Sequence, residues 1–164
     1  MVPEALGPRR PNAEADERCV MLEGILVATD WSFHWTRAAL TAADLGRALG
    51  ASLTLLAAYQ VPPGSEGEPD YSRDQEAALR GANALLEAQA AAIAADRGLP
   101  ARTKVIGGSR PSQTIVDAAA SEQYDQLVMG TRGLGHLGST LLGSVPAHVA
   151  AHSPIPVLVV HGDD

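Results

Sequence analysis

Five short runs rich in strand-forming residues recur along the chain, and one segment of helix length separates each from the next. Nothing else in the sequence restricts the fold as strongly. The runs are Gly24 to Thr29 (GILVAT), Ser52 to Tyr59 (SLTLLAAY), Arg102 to Ile106, Asp125 to Met129 and Pro156 to Val160 (PVLVV). Most are nearly continuous in apolar residues, as expected of strands buried on both faces. A strand–helix order that ends on a strand specifies an α/β fold with an open parallel sheet, because each parallel crossover lays a helix on one face or the other. The 164 residues suffice for a single domain of this kind.

Local signals place the helices. Asp30 and Ser32 are good N-caps for a helix that turns Ala38, Ala39, Leu40, Ala42, Ala43 and Leu45 to the core and stops near Gly50. Val61 to Arg73 (VPPGSEGEPDYSR) reads as a polar loop, long enough to act as a lid over a ligand. From Asp74 to Asp96, Leu79, Leu86 and Ile93 recur at every seventh position with Ala82 and Ala90 between them. Two heptads do not make a coiled coil, so this narrow stripe predicts a helix lying on the sheet, ended by Gly98 and Pro100. Gly107 to Arg110 reads as a turn, Pro111 to Ser121 as a helix opening on proline, and Ser144 to His152 as the last helix. Residues 1–20 are too polar to offset their ordering entropy and read as a flexible arm before a domain of residues 21–162.

Composition excludes several roles. A net charge of −7 repels a polyanion, and one Phe, two Trp and three Tyr leave almost no platform for base stacking, so nucleic acid is not an expected partner. The single cysteine, Cys19, can form no internal disulfide. No apolar stretch approaches the roughly 20 residues that span a bilayer, and the opening residues lack the apolar centre of a signal peptide. The expectation is a cytoplasmic protein with no membrane association.

Open parallel sheets bind ligands beyond the carboxyl ends of their strands, which directs attention to Asp30, Tyr59 and Gly130. After Gly130 comes TRGLGHLGSTLL, where glycines let an anion approach backbone amides and a helix follows with free N–H groups at its start. Three motifs compete there. Gly133, Gly135 and Gly138 spell a dinucleotide fingerprint, but no Asp or Glu for a ribose follows until Asp163. Gly138 and Gly143 have Walker A spacing, yet no lysine follows. The third pattern is Gly130-x2-Gly133-x9-Gly143-Ser144.

On that third pattern, and on MGTRGLGHLGSTLLGSVPAHVAAHSPIPVLVV as a whole, the chain resembles the universal stress protein family, with the likeness running from Gly24 to Val160. The resemblance implies an adenine nucleotide alpha hydrolase-like sheet of five strands in the order 3-2-1-4-5, with helices on both faces. It also implies a homodimer paired through the final strand, and ATP as ligand, admitting Mg²⁺ with it. Carried over by position, Gly130, Gly133, Gly143 and Ser144 would hold the phosphates and ribose, with Arg132 and the Val145 amide alongside, and Met129 would be a further cofactor-binding residue. Asp30 would lie near the base and sugar, and Ala58 would line the adenine pocket. Asp30 also reads as a plain helix cap, and both readings stay open. Ala28 and Trp31 stand where the family commonly has proline and glycine, so Trp31 either stacks on the base or fills its pocket.

The implied role is an ATP-binding regulatory switch acting on an unknown protein partner. The alternatives are a nucleotide-independent dimeric interaction protein, or a slow ATPase or phosphotransferase modifying itself on Ser139, Thr140 or Ser144. No catalytic residue is assigned, because the segment offers no base to position a water. His148 and His152, four apart on a helix, lack a further metal ligand nearby and read as surface residues. Asp30, Ser32 and His34 stand too close along the chain to align as a triad. Gly107-Gly-Ser109 lacks the closing glycine of a nucleophile elbow.

Overall fold

The chain begins its regular structure with β1 (Gly24–Thr29), and β2 (Ser52–Gln60), β3 (Ala101–Gly108), β4 (Gln126–Gly130) and β5 (Val157–Val160) follow. Between them run α1 (Phe33–Leu49), α2 (Pro69–Arg97), α3 (Pro111–Ser121) and α4 (Ser144–His152). This computed structural model describes residues 22–29, 33–61, 69–121, 124–131 and 142–161. The expected caps Asp30 and Ser32, the arm of residues 1–20 with Cys19, and most of the expected lid lie outside the described residues. All strand pairs are parallel and the order is β3-β2-β1-β4-β5, as the resemblance implies.

Alternation along each strand divides the core in two. Ile25, Val27, Leu53, Leu55 and Ala57 pack under α1 and α2. Leu26, Ala28, Leu56, Leu127 and Met129 pack under α3 and α4. Every residue of β1 is buried, which is why its sequence shows no polar alternation. The stripe on α2 lies on the sheet as expected, with Leu86, Ala90 and Ile93 buried, whereas the neighbouring Leu85 is 57% exposed. Gly50 ends α1 with φ +73°, the left-handed turn that glycine takes without a Cβ penalty.

Two expectations change. Residues 69–73, expected in the loop, are helical, because Pro69 occupies the first helical position, where its fixed φ suits the helix and its missing N–H costs nothing. Gly107 and Gly108, expected in a turn, continue β3 by pairing with Tyr59 and Gln60. A Cβ on Gly107 would stand 2.5 Å from the Tyr59 ring, and one on Gly108 would overlap the Thr114 hydroxyl. Glycine is needed there for close approach, not for a bend.

Among the described residues no helix is long and apolar enough to cross a membrane.

Candidate functional site

The winding direction reverses between β1 and β4, so these two adjacent strands lead to connections on opposite sides of the sheet. Their carboxyl ends lie in register, with Ala28 beside Met129. On the next strand Ala58 follows Ala57, the partner of Thr29. Ala28, Ala58, Met129 and Val145 belong to one apolar cluster on the α3/α4 face, so Ala58, Met129 and Val145 come together from three separate elements. The small side chains of Ala28 and Ala58 keep that edge low.

The backbone beyond β4 is held by three bonds in series. Thr131 N–H donates to Val160 O at 3.0 Å, extending the pairing of β4 with β5. Gly143 N–H donates to Thr131 O at 2.9 Å, returning the chain to the strand end after the glycine-rich segment. Ala147 N–H donates to Gly143 O at 3.0 Å, the first bond of α4. Gly143 is therefore the N-cap of α4, extended at φ −67° and ψ 164°, with no side chain to cap the helix.

That leaves a defined set of donors. In an α-helix the first N–H groups have no partner within the helix. Here Pro146 has no N–H, and Ala147 N–H is engaged by Gly143 O, so among the described residues the N–H groups of Ser144 and Val145 are the donors left at the helix start. Val145 is half-buried against the apolar cluster, which fixes the first turn, while Ser144 is exposed. The positive end of the helix dipole lies at the same point, equivalent to about half an elementary charge. Such a helix start receives an anion, and the adjoining apolar edge suits the flat face of a base.

Gly143 and Ser144 thus stand by the end of β4, next to Gly130 and Thr131, and Met129, Ala58 and Val145 share the apolar cluster on the α3/α4 face. Asp30, Arg132 and Gly133, with Trp31, lie outside the described residues. Thr131, 1% exposed, was not singled out from the sequence. It acts through its peptide N–H and C=O, which residue type does not reveal; its place between Gly130 and Gly133 is the only signal.

His148 and His152 stack with ring centroids 4.2 Å apart. His152 Nδ1–H donates to His148 O at 2.8 Å, and His148 Nε2 stands 3.4 Å from Gln113 Oε1 on α3. His148 is half-buried rather than a plain surface residue. Among the described residues no three His, Cys, Asp or Glu side chains gather as a metal site.

Residues 21–161 match the profile of the universal stress protein family. A universal stress protein of Thermus aquaticus, encoded in the 3′ region of a QAH/OAS sulfhydrylase gene, is 40% identical over 140 residues, covering 85% of this chain and 99% of that protein. The universal stress protein UspA of Lactobacillus plantarum superposes with a TM-score of 0.73 at 24% identity, over 85% of this chain and 97% of that one, and speaks to the fold. A universal stress protein solved in complex with cAMP superposes with a TM-score of 0.63 at 29% identity, over 87% and 99%. With the strand order, the glycine spacing around α4 and these matches in agreement, the chain belongs to the universal stress protein family.

Proposed function

We propose that this chain is a regulatory protein that binds ATP at the carboxyl edge of its sheet and changes its contacts with a protein partner according to the state of that site. The start of α4 carries this reading: two N–H groups without helical acceptors stand behind a glycine cap tied to the end of β4 by the bond from Gly143 to Thr131. These residues fit a phosphate chain, since backbone amides, a helix dipole and the absence of a side chain at position 143 all favour close approach of an anion. Ala28, Ala58 and Met129 fit the base. The family pattern adds Arg132 and Gly133 at the phosphates and Asp30 at the sugar. In support, a structural relative is complexed with cAMP. Bound ATP, with Mg²⁺, supplies a terminal phosphate that ADP lacks, and the chain's own part is to hold it.

The same reading includes a homodimer through β5. That strand is one edge of the sheet, and its residues Val157, Leu158, Val159 and Val160 are all half-buried apolar side chains. An uncovered apolar edge invites pairing with a second copy. Light scattering at micromolar concentration should give twice the chain mass; a monomer would remove the dimer from the reading.

The deciding experiment is to purify the protein without added nucleotide, denature it, identify what is released by mass spectrometry, and then titrate ATP in Mg²⁺. The expected result is adenine nucleotide released or bound near one per chain, with no multiple-turnover release of ADP. A folded protein that neither carries nor binds nucleotide would overturn the reading in favour of a nucleotide-independent interaction protein.

A further inference from the structure

Helices α1 and α2 lie side by side on one face of the sheet, joined where Arg97 Nη1 stands 3.3 Å from Asp44 Oδ1. Eight residues earlier on the two helices come Gln89 and Thr36, and between these points the seam opens into a cleft of about 200 Å³. Trp35, Ala39 and Ile93, all buried, form its floor, and Leu40 and Ala92 its sides. The seam opens there because Ala39 and Ala92 carry only a methyl group each, where larger side chains would close it.

The lining defines what fits. Gln89 Oε1 is buried and accepts no hydrogen bond among the described residues. An acceptor buried without a donor destabilises a fold, so an N–H or O–H brought against it by a ligand would relieve a cost the chain otherwise bears. At the rim, Asp96 Oδ2 stands 3.1 Å from Arg97 Nε, so its charge is already answered within α2. The apolar floor and sides offer nothing to compensate a charge, which selects a neutral occupant. Size narrows the class further. An apolar cavity of about 150 Å³ takes benzene, so one of about 200 Å³ admits a second fused ring, and aromatic rings pair well with the indole of Trp35.

We propose that the cleft between α1 and α2 binds a small neutral aromatic molecule of the indole class, two fused rings carrying one N–H or O–H donor. The donor meets Gln89 Oε1, and the rings fill the space between Trp35, Ala39, Ala92 and Ile93. The proposal does not depend on the ATP reading, because the cleft lies on the α1/α2 face and the start of α4 belongs to the other face.

The test is a ¹H–¹⁵N NMR titration of the full chain with indole and, separately, with 1-methylindole, which keeps the rings and lacks the donor. Expected are saturable shifts confined to residues 35–40 and 89–96, with a Kd for indole of about 1 mM or below and binding about two- to tenfold tighter than that of 1-methylindole. Gln89→Leu removes the acceptor at similar volume; it should abolish the preference for indole and leave the thermal midpoint of the free protein unchanged or raised. Ala92→Leu, at an exposed helical position that leucine suits, should fill the cleft and end saturable binding of both probes. Non-saturating shifts, shifts centred on residues 128–130 and 144–146 instead, a preference for indole that survives Gln89→Leu, or an Ala92→Leu variant that binds like the parent would each overturn the proposal.

Discussion

Replacing Gly143 by Asp separates the two roles of that position, which is both the cap of α4 and the floor of the proposed phosphate site. As a cap, aspartate is at least as good as glycine, by a few tenths of a kcal/mol, and its charge beside the helix start adds about 0.3 to 1 kcal/mol. The backbone at φ −67° and ψ 164° accepts any L-residue, so no strain opposes the change. For a phosphate ligand the same carboxylate is doubly unfavourable. It competes for the Val145 N–H, and a charge-assisted hydrogen bond lost there removes about 1.5 to 3 kcal/mol. It also repels the ligand: two unit charges about 4 Å apart differ by about 1 kcal/mol in water and about 4 kcal/mol at an effective dielectric of 20. Together these give about 4 kcal/mol, or roughly a thousandfold weaker binding. Calorimetric ATP titration and thermal denaturation should be run side by side on Gly143→Asp and Gly143→Ala. The expected result is a thermal midpoint at or above the parent's with binding lost for Asp, and a small stability loss with binding largely kept for Ala. Unchanged affinity in folded Gly143→Asp, or equal loss in both variants, would refute the reasoning.

Two further outcomes follow from packing. Gly108→Ala should destabilise by about 1 to 3 kcal/mol in urea denaturation, because its Cβ meets Thr114, a branched side chain whose Oγ1–H donates to Arg110 O at 3.1 Å. Adding Thr114→Ala should cost less in that background than in the parent; simple additivity would count against the contact. Leu86→Ala, fully buried, should cost about 2 to 5 kcal/mol, whereas Leu85→Ala, beside it but 57% exposed, should stay within about 0.5 kcal/mol, and equal costs would contradict the placement of α2 on the sheet.

What the sequence made legible was whatever expresses itself in side-chain type at fixed spacing. Ser144 to His152 as a helix and Gly24 to Thr29 as a strand are found with those bounds, because glycine before one and polar capping residues after the other mark the edges. Gly107 and Gly108 misled, since two adjacent glycines look like a turn when the reason for them is the bulk of Tyr59 and Thr114, brought near only by the tertiary fold. At the site the glycine spacing was readable and the part played by Thr131 was not, because peptide groups look alike in every residue. Arg102 and Lys104, two apart, resemble an ordinary solvated edge strand until the register sets them beside Thr54 and Leu56.

The carboxyl end of the sheet therefore asks something particular of mutagenesis. At the carboxyl end the donors are peptide N–H groups held by the bonds from Thr131 to Val160 and from Gly143 to Thr131, so single side-chain truncations there should leave the donors in place. Only an added group, as at position 143, can block them. Such a site is lost by filling, not by deletion. It follows that a scan restricted to alanine would miss the start of α4, where the informative substitutions bring in a group long or charged enough to reach the N–H donors, as Gly143→Asp does and Gly143→Ala does not.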